Sequence, residues 1–343
     1  MGVPIPTRPP RPVVPVGFEE SADGLLSAWL FAPDQAPLAL RLAEIGAAIT
    51  RGKGFVWVHL NASASPAKQW LLACGHVPEP MREFLLETEP RTRLEVVGPA
   101  ILGVIGDVVA GADPDPWRLS TLRFYVDRTC LISTRRRPIA CASRLGRMVR
   151  DGFAPSSTTE LVVQLLLLTA QSLSDRAAEL IRDTDRSEDD VLSGHTIAAR
   201  RRLGHARRHA SQLRRQMALR PRAIDRLRAR LPAWIGENER FELLDALDRL
   251  DSLVEELHTI EQREATLEAE VAARLGEETN RNLFVLSVVT VIFLPMTLIT
   301  GIFGMNVAGL PGVEDPASFW WVMLVMVAVP VLFLFALRWR RRT

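Results

Sequence analysis

The chain has 343 residues, with 42 Lys+Arg against 40 Asp+Glu, 48% hydrophobic residues and a mean hydropathy of +0.09. That length holds an ample core without disulfides or a structural metal, and a net charge of +2 excludes a strongly basic nucleic-acid coat and an acidic solvating tail. Three cysteines, Cys74, Cys130 and Cys141, are too few and too scattered for a disulfide framework and fit a reducing compartment.

Residues 1–17, MGVPIPTRPPRPVVPVG, have no apolar core and no cleavage site, so they read as an extended, disordered, proline-rich leader and not as a signal peptide. From 18 to 155, β-like and helix-like runs alternate. Leu38 to Ile49 and Pro66 to Leu72 suggest helices. Phe55 to Leu60 and Val96 to Val109 are strand-like, and Leu122 to Val126 with Leu131 to Thr134 suggest a hairpin turning at Asp127-Arg128. A cytosolic α/β domain is expected from this alternation. From 156 to 281 the strand signals stop. Ser156-Ser157-Thr158-Thr159 caps a helix over Glu160–Leu192, Thr196–Leu219 is a second, and Glu237 to Val291 contains no proline and a single glycine, Gly276. Phe241, Leu244, Leu247, Leu250, Val254, Leu257, Leu267, Val271 and Leu275 keep three- and four-residue spacing, which predicts a long helical stalk that runs unbroken into the uncharged stretch beginning at Asn282.

Asn282 to Val313 carries no charge, and 282–303 is long enough to cross a hydrocarbon core. A loop at 304–316 leads to a second uncharged run at 317–337, and a basic tail closes the chain at 338–343. Arg274 and Arg281 precede the first run, Arg338, Arg340, Arg341 and Arg342 come after the second, and the loop holds Glu314 and Asp315 without a base. The positive-inside rule puts both termini in the cytosol, and Trp320, Trp321 and Trp339 stand where interfacial aromatics do. The expected fold class is thus an α+β membrane protein: an N-terminal α/β domain, a helical stalk and two C-terminal transmembrane helices.

One helical stripe of the first run reads Asn280, Leu283, Ser287, Thr290, Leu294, Thr297, Gly301, Gly304. Small and hydroxylated residues on one face either let helices pack closely in lipid or wall a water-lined pore, with Leu283 and Leu294 as apolar constrictions. Two spans cannot enclose a path, so the pore reading requires an oligomer around this face.

The first run ends in Gly304-Met305-Asn306, after Pro295, Thr297 and Gly301, and before a short loop and one further span ending in arginines. This layout resembles the CorA metal-ion transporter family, whose signature is a Gly-Met-Asn triplet at the outer end of the first of two C-terminal spans. The resemblance implies a funnel-shaped homopentamer with the first span lining the pore. The loop Asn306-Val-Ala-Gly-Leu-Pro-Gly312 and the segments Val56-Trp-Val-His-Leu-Asn61 and Leu131-Ile-Ser-Thr-Arg-Arg136 are similar to the zinc-transporter (ZntB-like) branch. Magnesium-favouring branches more often place an acid soon after a Met-Pro pair, whereas here the acids come later, as Glu314 and Asp315.

The expected cargo is therefore Zn²⁺, with Mg²⁺, Co²⁺ and Ni²⁺ as alternatives, and no covalent cofactor. A ring of Asn306 carboxamides would hydrogen-bond a hydrated ion without stripping it. Glu314 and Asp315 would concentrate cations at the outer mouth. Neither span holds an ionisable residue, so an intramembrane proton relay is not expected. The expected location is a bacterial-type inner membrane, and the expected partners are divalent cations, lipid and further copies of the chain, with no nucleic acid. Asp245, Asp248, Asp251 and Glu255 stand on the stalk, as an exposed face or as a regulatory cation site between subunits. His205 and His209 are one turn apart but lie among arginines that oppose a dication. Cys74-Gly-His76 is a soft-metal pair lacking a third ligand nearby in sequence. No nucleophile–base pair or phosphate loop has a recognisable setting, so no enzyme is read. A magnesium or cobalt channel of the same architecture is the runner-up, and a membrane-anchored coiled-coil sensor or scaffold the remoter rival.

Overall fold

The computed structural model describes residues 21–89, 92–111, 115–218, 223–305 and 317–340. The chain forms two compact units, residues 1–268 and residues 269–343. The proline-rich leader lies outside the described residues.

In the first unit, β1 (Leu25–Phe31) and a short β2 (Leu38–Ala39) precede α1 (Leu42–Arg51), β3 (Phe55–Asn61), α2 (Ser65–Ala73) and α3 (Glu79–Leu86). Next come four strands, β4 (Arg93–Val97), β5 (Ala100–Val108), β6 (Leu119–Val126) and β7 (Cys130–Arg135), and then α4 (Ala140–Arg150). All seven join one sheet in the order β2-β1-β3-β7-β6-β5-β4. Only β3 and β7 run parallel, and every other neighbouring pair is antiparallel. The expected hairpin at Asp127-Arg128 is the β6–β7 pair. The single strand expected over Val96–Val109 is instead a second hairpin, β4–β5, because Gly98, at φ +60°, turns the chain between Val97 and Ala100. The helix expected from Leu38 begins only at Leu42, since Leu38 and Ala39 pair with β1.

The alternation along the strands splits the core in two. Val56, Val58, Leu60, Leu102, Val104 and Ile132 face α1, α2 and α3, packing on Ile45, Ile49, Leu71 and Leu85. Trp57, Ile101, Ile105, Leu122, Phe124 and Leu131 face the other way, onto Leu145, Leu161, Leu165 and Leu166. Gly103 lies on this second face opposite Phe124. A Cβ there would overlap the Phe124 ring and press on Leu94, so the glycine makes room for the aromatic. The start of α4 has no side-chain cap of its own, and the buried Asp107 of β5 supplies one: the Cys141 amide donates to Asp107 Oδ2 at 2.7 Å. Burial pushes the Asp107 carboxyl up to about 6, against the pull of the Val108 and Cys141 amides.

Four further helices continue the described chain: α5 (Thr158–Leu192), α6 (Thr196–Met217), α7 (Ala223–Arg230) and α8 (Glu237–Phe303), before a last one, α9 (Ser318–Arg340). Ser157 caps α5 through the Glu160 amide, and Glu160 reaches back to the Ser156 amide at 2.7 Å. Within the first unit, Leu173, Ala177 and Leu180 of α5, Ala206, Ala210 and Leu213 of α6 and Val254, Leu257 and Ile260 of α8 form a third core at coiled-coil spacing. Beside that seam, three of the arginines that surround His205 and His209 pair with acids. Arg202 bonds Asp190, Arg214 bonds Glu261 and Arg207 bonds Glu268, each at 2.7 Å.

Glu264 of α8 is completely buried in this bundle. Thr184 of α5 donates to its Oε1 at 3.1 Å, while Oε2 has no hydrogen-bond partner. Burial pushes its carboxyl up to about 7, with Glu268 and Glu261 adding to the effect. Its acid is thus harder to ionise folded than unfolded, so stability is full below pH ~4.5 and falls as pH rises towards ~7.

Two substitutions probe this core. Glu264→Gln raises the thermal midpoint at pH 8, by the equivalent of about 3 kcal/mol, and leaves it nearly unchanged at pH 4; equal effects at both pH values exclude the buried-acid account. Gly103→Ala destabilises the chain by about 1–3 kcal/mol, and Phe124→Leu in the same chain restores part of that in denaturant titrations; a neutral Gly103→Ala removes the packing argument.

Candidate functional site

The second unit contains the last part of α8 and all of α9. Within α8 an 18-residue window has a mean hydropathy of 2.4 and none of it is buried. Leu286, Phe293 and Leu298 are 62%, 59% and 64% exposed, so a large apolar surface has no protein cover. Among the described residues α8 is the one helix long and apolar enough to cross a membrane; the apolar stretch of α9, Phe319–Phe333, is shorter.

The stripe anticipated along α8 is fully accessible: Asn280, Ser287, Thr290, Thr297 and Gly301 are exposed, with Leu283 at 54% and Leu294 at 69%. Its hydroxyls share one geometry. Ser287 donates to the Leu283 carbonyl at 2.8 Å, Thr290 to Leu286 at 2.9 Å and Thr297 to Phe293 at 2.8 Å. Thr300, off the stripe, donates likewise to Met296 at 3.0 Å. A hydroxyl has one hydrogen and two lone pairs. With the hydrogen turned back onto the helix, only acceptor oxygen faces outward. Pro295 interrupts the backbone ladder between Thr290 and Thr297, because it has no N–H to offer the Val291 carbonyl.

The helix closes at Gly304, whose amide still bonds the Thr300 carbonyl at 2.9 Å, and Met305 bonds Ile302 in a tighter turn at 3.4 Å. A Cβ on Gly304 would stand 2.8 Å from the Thr300 oxygen, so a side chain there would force the turn open. A helix C-terminus carries partial negative charge, which favours a cation. Asn306, Glu314 and Asp315 lie outside the described residues.

The acids of the stalk and the histidines and cysteines of the soluble unit have distinct surroundings. On α8 in the first unit, Asp248, Asp251 and Glu255 are exposed and Asp245 is half-buried. Asp245 pairs with Arg249 at 2.8 Å and Asp248 with Arg228 at 3.4 Å. Asp251 is raised above the usual carboxylate range by partial burial and by Glu255 and Asp248, so these acids feel one another. His205 is exposed, whereas His209 stacks on Trp117 with ring centroids 4.6 Å apart, which makes it a packing residue. His76 is joined by side chains that the sequence order hides: Asp127 of the β6–β7 turn and Cys130 at the start of β7 lie beside it. The segments around Trp57 and Ile132 are neighbouring parallel strands, in register from Val56↔Cys130 to Asn61↔Arg135. His59 Nδ1 and Trp57 Nε1 meet the Ser133 hydroxyl at 3.0 and 3.1 Å, and burial holds His59 neutral, well below its usual range.

A family model described as "CorA-like Mg2+ transporter protein" matches residues 52–341. The zinc transport protein ZntB of Pectobacterium carotovorum subsp. carotovorum (strain PC1) is 28% identical over 275 residues, 79% of this chain and 83% of that protein. The full-length CmaX protein superposes with a TM-score of 0.77 at 23% identity, covering 94% of this chain and 99% of that one. The CorA magnesium transporter of Methanocaldococcus jannaschii superposes with a TM-score of 0.73 at 18% identity, covering 91% and 96%. Both superpositions concern the fold: a soluble α/β domain with a long helix.

The exposed apolar surface has a direct test. In phase separation with a nonionic detergent the full chain enters the detergent phase, and a chain ending at Glu278 stays in water. Full-length protein in the aqueous phase would contradict the membrane reading.

Proposed function

The chain belongs to the CorA-like Mg2+ transporter family, and from that premise we propose that it carries divalent cations across a bacterial-type inner membrane, with Zn²⁺ as cargo. Zinc is favoured over the magnesium or cobalt alternative because the Pectobacterium relative is named a zinc transport protein. In this reading 282–303 and 317–337 span the membrane, both termini are cytosolic, and several copies of α8, five by family resemblance, surround the path.

The observation that carries the proposal is the acceptor-only wall of α8. A hydrated cation presents water hydrogens outward, and these need acceptors. Ser287, Thr290 and Thr297 offer oxygen without a competing donor, so the ion can pass with its water kept, which suits ions that dehydrate reluctantly. Leu283 and Leu294 are the apolar rings that close the path by dewetting. At the mouth, Gly304 and Met305 bring the negative helix ends together. Asn306 adds neutral carboxamide oxygens, and Glu314 and Asp315 attract cations from outside. A dication gains roughly 4.6 kcal/mol per 100 mV on moving to a negative interior, which drives uptake without a proton relay in the spans. Asp245, Asp248, Asp251 and Glu255 are assigned to cytosolic cation binding between subunits, weakened where Arg249 and Arg228 already neutralise two of them.

The test is flux into liposomes with Zn²⁺, Mg²⁺, Co²⁺ and Ni²⁺ compared at imposed negative potential. Zinc uptake is expected to exceed the others. Asn306→Ala is expected to abolish selectivity or flux, and Thr290→Val to lower flux severalfold while changing stability by less than about 0.5 kcal/mol. A mere membrane anchor would leave both variants silent, and obligatory export in inverted vesicles would overturn the direction.

A further inference from the structure

We propose that His76, Asp127 and Cys130, with Cys74 beside them, form a zinc-binding site on the α/β domain, separate from the ion path along α8. The ligand atoms of the first three all lie within 4.8 Å of one another. His76 comes from the loop after α2, while Asp127 comes from the β6–β7 turn, 51 residues further along, and Cys130 from the first position of β7. Cys74 lies two residues before His76 and is half-buried, outside the group that meets this distance.

The arrangement is prepared for a metal. Asp127 Oδ1 accepts the Thr129 amide at 2.7 Å, the Thr129 hydroxyl at 2.8 Å and the Cys130 amide at 2.9 Å, which fixes the carboxylate. Its Oδ2 accepts from Tyr125 at 2.8 Å and faces His76 Nε2 at 2.9 Å. A metal ion would replace the direct His76–Asp127 contact, with Thr129 and Tyr125 as the outer groups that orient its ligands. One side of the cluster is open, since the His76 side chain is 35% exposed, and the other is closed by the fully buried Cys130.

Ligand chemistry selects the ion. Thiolate, imidazole and carboxylate together suit Zn²⁺, whereas Mg²⁺ and Ca²⁺ take oxygen. Zinc ligand bonds of about 2.0–2.3 Å put tetrahedral ligand atoms roughly 3.5 Å apart, so the widest pair has to close by on the order of 1 Å. On binding, the lone pair of Cys130 sulfur forms the S–Zn bond and its proton leaves to solvent, with no change of oxidation state. An ion pair that merely pins the turn would need His76 and Asp127 but neither thiol. The bound ion would tie the α2 loop to a turn whose Asp127 carbonyl already accepts from Thr158, at the start of α5, at 2.6 Å.

Cobalt(II) is the probe, added to the full chain in detergent. The cysteines are Cys74, Cys130 and Cys141, with none in 282–337, so a thiolate-to-cobalt charge-transfer band cannot arise from the ion path. The expected result is such a band, displaced by one equivalent of zinc per chain, retained in Asn306→Ala, and with cobalt affinity lowered at least ~10-fold in His76→Ala. His76 is on the surface, so this variant tests the site without disturbing the core that holds Cys130. Absence of the band, or equal affinity in His76→Ala, overturns the site. Neither outcome depends on which ion crosses the membrane, so failure here and failure of zinc flux are separately visible.

Discussion

An uncharged apolar helix surface with no protein over it is the constraint on which the remaining organisation depends. Water would meet Leu286, Phe293 and Leu298 over most of their area, and no other described segment covers them. Lipid accepts such a surface, but it accepts nothing polar without a partner. The hydroxyls of Ser287, Thr290 and Thr297 therefore do two things at once. They satisfy their hydrogens inside the helix, which makes them tolerable in an apolar medium, and they leave oxygen facing out along one line. The same geometry that permits insertion gives the proposed path its chemistry.

The soluble half is built on a different principle, partners supplied from a distance. The helix α4 begins without a cap, and Asp107 of β5 provides it. Gly103 gives up its side chain so that Phe124 can lie across it. Arg202, Arg207 and Arg214 of α6 are bound to acids on α5 and α8. These contacts join separate elements, from neighbouring strands such as β5 and β6 to helices as far apart in the chain as α6 and α8, and so tie the sheet and its helices together.

That difference also decides what can be read from the amino-acid order. The helices α5, α6 and α8 are visible because periodicity and Ser/Thr caps are local signals, and so is the hairpin at Asp127-Arg128. The divided β4–β5 pair is marked only by Gly98-Pro99, a turn signal set inside a segment that is strand-like on both sides. The strand β2 is hidden because two residues carry no period. At the candidate sites, the stripe from Asn280 to Gly304 is written in spacing alone. The neighbours of His76 cannot be found that way, since pairing of β6 with β7 and packing of the α2 loop against them must come first.

The three acids of α8 that meet the bundle, Glu261, Glu264 and Glu268, recur once per turn and face Arg214, Thr184 and Arg207. With Val254, Leu257 and Ile260 seated in the same seam, intermediate positions of α8 along its axis would separate every pair at once. Sliding is therefore restricted to whole turns, about 5.4 Å each. One such step would exchange partners along the row and set Glu264, whose Oε2 has no hydrogen-bond partner, opposite an arginine. The part of α8 in the first unit is thus graduated like a ratchet, with discrete positions instead of a continuous range.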